Sequence, residues 1–270
     1  MPVVSAFLVP GSPLPLLRPD NPPWSRLASG YRTAQRALHM SRPDLILVYS
    51  TQWLAVLDEL WQARPHLAGT HVDENWYEFG DLDYELTIDT ELALACVEAA
   101  RQGGFSSKGV DYGGFPVDTG TIVANRFLNP RSAVPLGVAA NNLYHDWDET
   151  SRLGEIAVGA AARLGRRIAL VGVGGLSGTI FRNEIDIRND GIASGDDDRW
   201  NRRMLTLLQR GDAAGARSAV PDFAREARVD MGFKHFAWIL GGLGGRLHGA
   251  RIHAYGATWG AGAAVVEFKV

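Results

Sequence analysis

Imidazole, carboxylate and a glycine-rich turn are the groups of this chain that could carry chemistry. Their spacing limits what that chemistry can be. A mononuclear metal site with positions open to substrate needs several imidazole, thiolate or carboxylate donors brought to one side of the ion. None of the seven histidines stands in a His-x-His or His-x3-His pair, so no local metal motif exists. A loose grouping of titratable residues is Glu226 together with Asp230-Met231-Gly232-Phe233-Lys234-His235. His145, in Asn141-Asn142-Leu143-Tyr144-His145-Asp146, comes after an apolar run and is placed to reach a cleft. His39 closes a helical stretch, where a cation suits the helix dipole. His253 lies in a strand pattern, and His66, His71 and His248 read as structural.

Three other motifs carry less than they suggest. Gly172-Val173-Gly174-Gly175-Leu176-Ser177-Gly178 stands after an apolar run, as a dinucleotide loop would. Its spacing is Gly-x-Gly-x3-Gly, and no acidic residue ends a second strand about twenty residues on. Ser177 lacks the closing glycine of a nucleophile elbow, because Thr179 stands there. Asp196-Asp197-Asp198 reads as a cap for a helix starting near Arg199 rather than as a cation site. The one cysteine, Cys96, sits in an apolar pattern as a small buried hydrophobe. It can form no intrachain disulfide, and no Cys-x-x-Cys pair exists to hold zinc.

Short apolar runs alternate with helical patterns. Val3–Val9, Leu45–Tyr49, Val134–Ala139 and Ile168–Val173 are apolar for most of their length, as strands covered on both faces are. Asp89 or Thr90 can cap a helix through Arg101, ended by Gly103-Gly104. Thr150 or Ser151 can cap a second through Leu164, ended by Gly165. Residues 199–209 and 223–240 read as further helices, and 251–255 and 261–268 as two closing strands. The alternation predicts an α/β fold of three layers, a mixed central β-sheet flanked by helices, in one domain spanning 1–270. Gly11, Gln52 and Gly178 lie just beyond three of the strands. Ligands collect at the carboxyl ends of strands in such sheets, so these three positions should converge on one cleft.

Four segments carry a resemblance. Val9-Pro10-Gly11-Ser12-Pro13 is similar to Ala-Pro-His-Pro-Pro, and Ser50-Thr51-Gln52-Trp53 to Ser-Pro-His-Trp. Val117-Asp118-Thr119-Gly120 is similar to Leu-Asp-His-Gly, and Gly174-Gly175-Leu176-Ser177-Gly178 to Gly-Gly-Leu-Ser-His. In order and spacing, from Val3 to Phe268, the chain resembles the class III extradiol ring-cleavage dioxygenases. Within them it resembles the non-catalytic alpha subunits of the 2-aminophenol 1,6-dioxygenases. The resemblance implies Fe(II) held by two histidines and a carboxylate, with a further histidine as acid/base. Here those positions hold Gly11, Gln52, Thr119 and Gly178, and spacing back from Trp238 puts the carboxylate position at Lys234, or at His235 after a one-residue slip. None of the catalytic or metal-binding roles carries over, so the chain is expected to hold no cofactor.

Residue by residue, Gly11 is expected to make a tight turn, Gln52 to hydrogen-bond the cleft backbone and Thr119 to cap a helix near Gly120. Lys234 either fills the emptied cleft beside an acidic neighbour or lies on the surface. The resemblance implies a homologous beta subunit carrying Fe(II), in a heterotetramer of two alpha and two beta subunits. Trp24, Trp61 and Trp76 are candidates for that contact. Two alternatives stay open: an active enzyme with an altered site built on His145, His235 or Asp230, and a small-molecule binding or sensor module that kept the pocket. A net charge of −3 with no basic stripe argues against nucleic acid. No apolar run reaches the ~18 residues of a membrane span, and the start has no basic n-region, so a cytoplasmic location is expected.

Overall fold

The computed structural model describes residues 2–270. In chain order the elements are β1 (Val3–Val9), α1 (Leu14–Leu17), α2 (Pro22–Ser41), β2 (Leu45–Ala55), β3 (Glu59–Gln62) and β4 (His66–His71). Next come β5 (Leu82–Thr87), α3 (Thr90–Gln102), β6 (Ser107–Val110), α4 (Thr119–Leu128), β7 (Leu136–Asn142) and α5 (Trp147–Arg163). The chain closes with β8 (Ile168–Val173), α6 (Gly195–Arg210), α7 (Ala213–Ala227), α8 (Lys234–Gly242), β9 (Ala250–Thr258) and β10 (Ala261–Phe268).

Eight strands form one sheet in the order β6-β3-β7-β2-β8-β1-β10-β9, and β4 and β5 form a separate hairpin sheet. The central run β7-β2-β8-β1 is parallel, while β10 is antiparallel to β1 and β9 to β10. The expected mixed sheet between helical layers is therefore what the residues build. Every residue of β7 and β8 is buried, which explains their unbroken apolar composition: helices cover both faces.

The two faces are read off by alternation. Ala6 and Leu8 of β1 and Leu45, Leu47 and Tyr49 of β2 point into a core closed by α3 and α5 to α8. Phe7, Val9, Ile46 and Val48 point into a second core, closed by α2, α4 and the hairpin sheet. Full burial of one such Leu, Ile or Phe stabilises the fold by roughly 1.5–3 kcal/mol. On the first face α5 and α8 touch backbone to backbone. A methyl at Gly241 would overlap the Ser151 carbonyl oxygen, and one at Gly154 would overlap that of Trp238. No side chain fits at either position.

Several expectations are corrected. The helix read over 223–240 is two, α7 and α8, divided by left-handed residues at Arg228, Met231, Gly232 and Phe233. Asp146, not Thr150 or Ser151, caps α5, in a box with Glu149. Ser194, not the Asp196–Asp198 run, caps α6, and those aspartates fill its first turn. Asp118, not Thr119, caps α4, accepting from the Thr121 N–H at 2.9 Å. In each case the cap lies upstream of the expected residue, because apolar periodicity marks where a helix is buried and not where it begins. Asp89 does cap α3, and Gly103 ends it. Trp24 and Trp61 are core residues, 0% and 1% exposed, so neither is an interface residue. The short strands β3, β4 and β6 were not anticipated. Among the described residues no helix is long and apolar enough to cross a membrane.

Candidate functional site

The parallel register brings the ends of β1, β2 and β8 side by side. Val9 is level with Val173, and so is Ser50. The segments just beyond these strands meet in one cleft of about 390 Å³, lined among others by Gly11, Gln52, Trp76, Gly175, Gly178 and Asp230. Gly11, Gln52 and Gly178 thus converge as their positions after the strands predict. β2 runs on to Ala55, so Gln52 lies within it, beyond the end of its pairing with β8.

Asp230 supplies the cleft's carboxylate. Its backbone N–H bonds the Leu176 carbonyl at 3.0 Å. Its Oδ2 accepts from Thr51 Oγ1 at 2.7 Å and from the Gly175 N–H at 2.8 Å. The left-handed break between α7 and α8 is what turns this side chain inward. Met231 and Phe233 hold φ of 44° and 64° there, at a cost of roughly 1–2 kcal/mol each. Among the described residues, three of the six non-glycine positions with positive φ fall within 228–233. Such strain gathers where a structure must aim a group.

At Gly11 and Gly178, which line the open cleft, close neighbours stand where a side chain would begin. Gly11, expected in a tight turn, lies in irregular backbone without a positive φ. A methyl there would stand 2.8 Å from Gln52 Nε2, so its missing side chain makes room for the Gln52 amide. A methyl at Gly120 would stand 3.0 Å from Gln52 Oε1. The expected bond from that amide to the cleft backbone is not formed, and only the Gln52 backbone N–H bonds locally, to Ser50 Oγ at 3.3 Å. At Gly178 a methyl would overlap the Arg228 carbonyl oxygen. Thr119 lies outside the cleft lining. Its Oγ1 donates to Asp73 Oδ2 at 2.6 Å and bonds His71 Nε2 at 2.8 Å.

Lys234 is half-buried and also outside the lining, and its Nζ donates to the Asn142 carbonyl at 2.9 Å. Burial holds its ammonium below the usual lysine range, against the opposing pull of Glu59, Asp146 and Glu149. Glu226 is on the surface, accepting from Trp200 Nε1 at 2.7 Å.

The three groups offered for an altered site do not share one. His235 is fully buried beneath Gly174, whose Cβ would stand 2.6 Å from its Nδ1. Neither ring nitrogen has a hydrogen-bond partner within normal distance. Burial pushes the imidazole down to about 4, against the attraction of Asp230, so it stays neutral near pH 7. His145 stands instead beside Glu59, with Nδ1 3.5 Å from Oε2. Glu59 is completely buried and neither carboxyl oxygen has a hydrogen bond. Burial pushes it up to about 7, against the downward pull of His145 and Lys234. Glu59 was missed in the sequence. Its signal was alternation: it shares a strand face with Trp61, two residues on.

Ferrous iron does not fit this donor set. Two glycines offer nothing, Gln52 offers a neutral amide, and Asp230 is one carboxylate already holding two donors. Among the described residues no group of three or more His, Cys, Asp or Glu could hold a metal ion.

Comparison with known proteins gives this geometry its context. The chain is 48% identical, over the full length of both, to a 2-aminophenol 1,6-dioxygenase alpha subunit of a Pseudomonas species. It is 28% identical to the beta subunit of a 2-aminophenol 1,6-dioxygenase, also from Pseudomonas, covering 99% of this chain and 94% of that one. An Escherichia coli 3,4-dihydroxyphenylacetate 2,3-dioxygenase is 20% identical over 80% of this chain and 79% of its own length. A crystal structure of an uncharacterised Escherichia coli K12 protein shares the fold, with a TM-score of 0.66 at 13% identity, covering 98% of this chain and 99% of that one. Residues 8–266 match the model described as the catalytic LigB subunit of aromatic ring-opening dioxygenase, and the chain belongs to that family.

Proposed function

We propose that this chain is the non-catalytic alpha-type subunit of a heteromeric dioxygenase that opens the ring of 2-aminophenol or a substituted 2-aminophenol with O2. Ferrous iron and the catalytic groups belong to a homologous beta-type partner, in a heterotetramer of two subunits of each kind. The observation that carries this reading is the packing of Gln52 over Gly11 and of the Arg228 carbonyl against Gly178. Imidazoles cannot return to those positions without moving their neighbours. The Pseudomonas relatives named as alpha and beta subunits support the pairing.

On this reading the fold's contribution is a contact surface. Leu54, Val56, Leu57, Leu143 and Tyr144 are exposed together, because β2 and β7 are paired there and the Leu143 N–H bonds the Ala55 carbonyl at 2.9 Å. Exposed apolar clusters of this kind mark interaction sites. The test is reconstitution. The isolated chain should bind no stoichiometric iron and should not consume O2 with 2-aminophenol, and turnover should need the beta-type chain. Ring cleavage by the isolated chain would refute the proposal.

A second reading, a binding or sensor module, is favoured by the persistence of a cleft of about 390 Å³ with a carboxylate on its wall. Calorimetry of the isolated chain with substituted aminophenols separates the two. Stoichiometric heat supports a binding role, and none counts against it.

A further inference from the structure

The geometry points to a second ligand site, for a small organic anion bearing a carboxylate, in the groove between the start of α2, residues 187–192 and β9. The groove encloses about 390 Å³ and shares no residue with the Gly11–Gln52 cleft. Three guanidinium side chains line it, Arg26, Arg188 and Arg202. Among the described residues neither Arg26 nor Arg188 is in an ion pair, as holds for most arginines of the chain, while Arg202 pairs with Asp198. Two carboxylates also line the groove, and both are already committed. Asp190 Oδ2 accepts from Trp24 Nε1 at 2.7 Å and from the Trp259 N–H at 2.6 Å, while its Oδ1 accepts from the Gly260 N–H at 3.0 Å. Asp198 takes Arg202 Nε at 2.8 Å and the Tyr255 hydroxyl at 2.6 Å. With three guanidiniums against two carboxylates, the groove keeps a net positive charge, carried by Arg26 and Arg188.

The chemistry of the walls selects among anions. A guanidinium presents paired N–H donors that match the two oxygens of a carboxylate, and such charge-assisted bonds are about twice as strong as neutral ones. Pro22, Pro23, Ile192 and Ala257 give the groove apolar surface beside the arginines. An anion with a hydrocarbon body gains from both, whereas an inorganic anion leaves the apolar wall wet. The positions of Asp190 and Asp198 matter for a second reason. Their bonds to Trp24, Trp259 and Tyr255 tie α2, α6, β9 and the 187–192 segment together, so the groove is held open by the fold.

The test uses the full chain at constant ionic strength, titrated by calorimetry with benzoate, with its neutral analogue benzyl alcohol and with inorganic phosphate. Benzoate should bind saturably and benzyl alcohol should not. The double substitution Arg26→Gln with Arg188→Gln should weaken benzoate binding more than tenfold. Arg131→Gln, an exposed charge elsewhere on the surface, should leave it unchanged. Equal binding of benzoate and benzyl alcohol, unaltered binding in the double variant, or binding of phosphate in place of benzoate would overturn the inference.

Discussion

Replacing Glu59 by Gln should stabilise this protein at alkaline pH and leave it unchanged in acid. Glu59 is fully buried, its oxygens lack hydrogen bonds, and its carboxyl is pushed from an ordinary 4.5 to about 7. The folded state therefore binds more protons than the unfolded chain between those values. Stability falls as pH rises through that window, the reverse of the usual salt-bridged carboxylate. A shift of this size corresponds to about 3 kcal/mol, absent below pH 4.5 and fully developed above pH 7. Glutamine keeps the shape and cannot ionise. The difference between Glu59→Gln and the parent should then be near zero at about pH 4.5 and about 3 kcal/mol at about pH 8, of the order of 5–10 °C in melting temperature for a chain of this size. Urea denaturation at the two pH values measures it, as midpoint and slope. Titrating groups remote from Glu59 cancel in the difference, whereas His145 and Lys234, which face it, shift with it. A variant less stable than the parent at the higher pH, or a difference that does not change with pH, would refute the reasoning. It would mean that His145 and Lys234 hold Glu59 ionised despite its burial.

Other contacts within the chain carry outcomes of their own. Gly241→Ala drives a methyl into the Ser151 carbonyl and should cost ~3 kcal/mol or more by forcing α5 from α8, read by chemical denaturation. Gly178→His should not restore metal binding, because the Arg228 carbonyl occupies the space. Stoichiometric ferrous iron bound to that variant alone would contradict the packing argument. Asp230→Ala should cost about 1–3 kcal/mol by stranding the Thr51 hydroxyl and the Gly175 N–H, a loss that Asp230→Asn should partly recover in the same assay. On the proposed interface, Leu57→Asp, at a side chain 86% exposed, should leave the isolated chain's stability within about 0.5 kcal/mol. It should weaken association with a beta-type chain in sedimentation or co-elution, and unchanged association would move the interface elsewhere.

The residues fixed a good deal before any tertiary contact was known. Short, mostly apolar, β-branched-rich runs at Val3–Val9 and Ile168–Val173 read as strands buried on both faces, and they are. That property, with helical periods between the runs, dictates the layered α/β sheet. It also forces Gly11, Gln52 and Gly178 to one end of it. That glycine and an amide stand at those positions, where the resemblance implies imidazole, is legible from the sequence. The break at 228–233 was not legible, because left-handed φ at Met231 and Phe233 has no local sequence cause. It accompanies the bonds of Asp230 to Thr51 of β2 and to Gly175 just beyond β8, both far away in the chain. Gln52 over Gly11, the Arg228 carbonyl against Gly178 and Glu59 beside His145 are likewise contacts between segments far apart in the chain. Local propensity acts over a turn or a strand. Which groups are stripped of water and pressed together is decided only when the layers close.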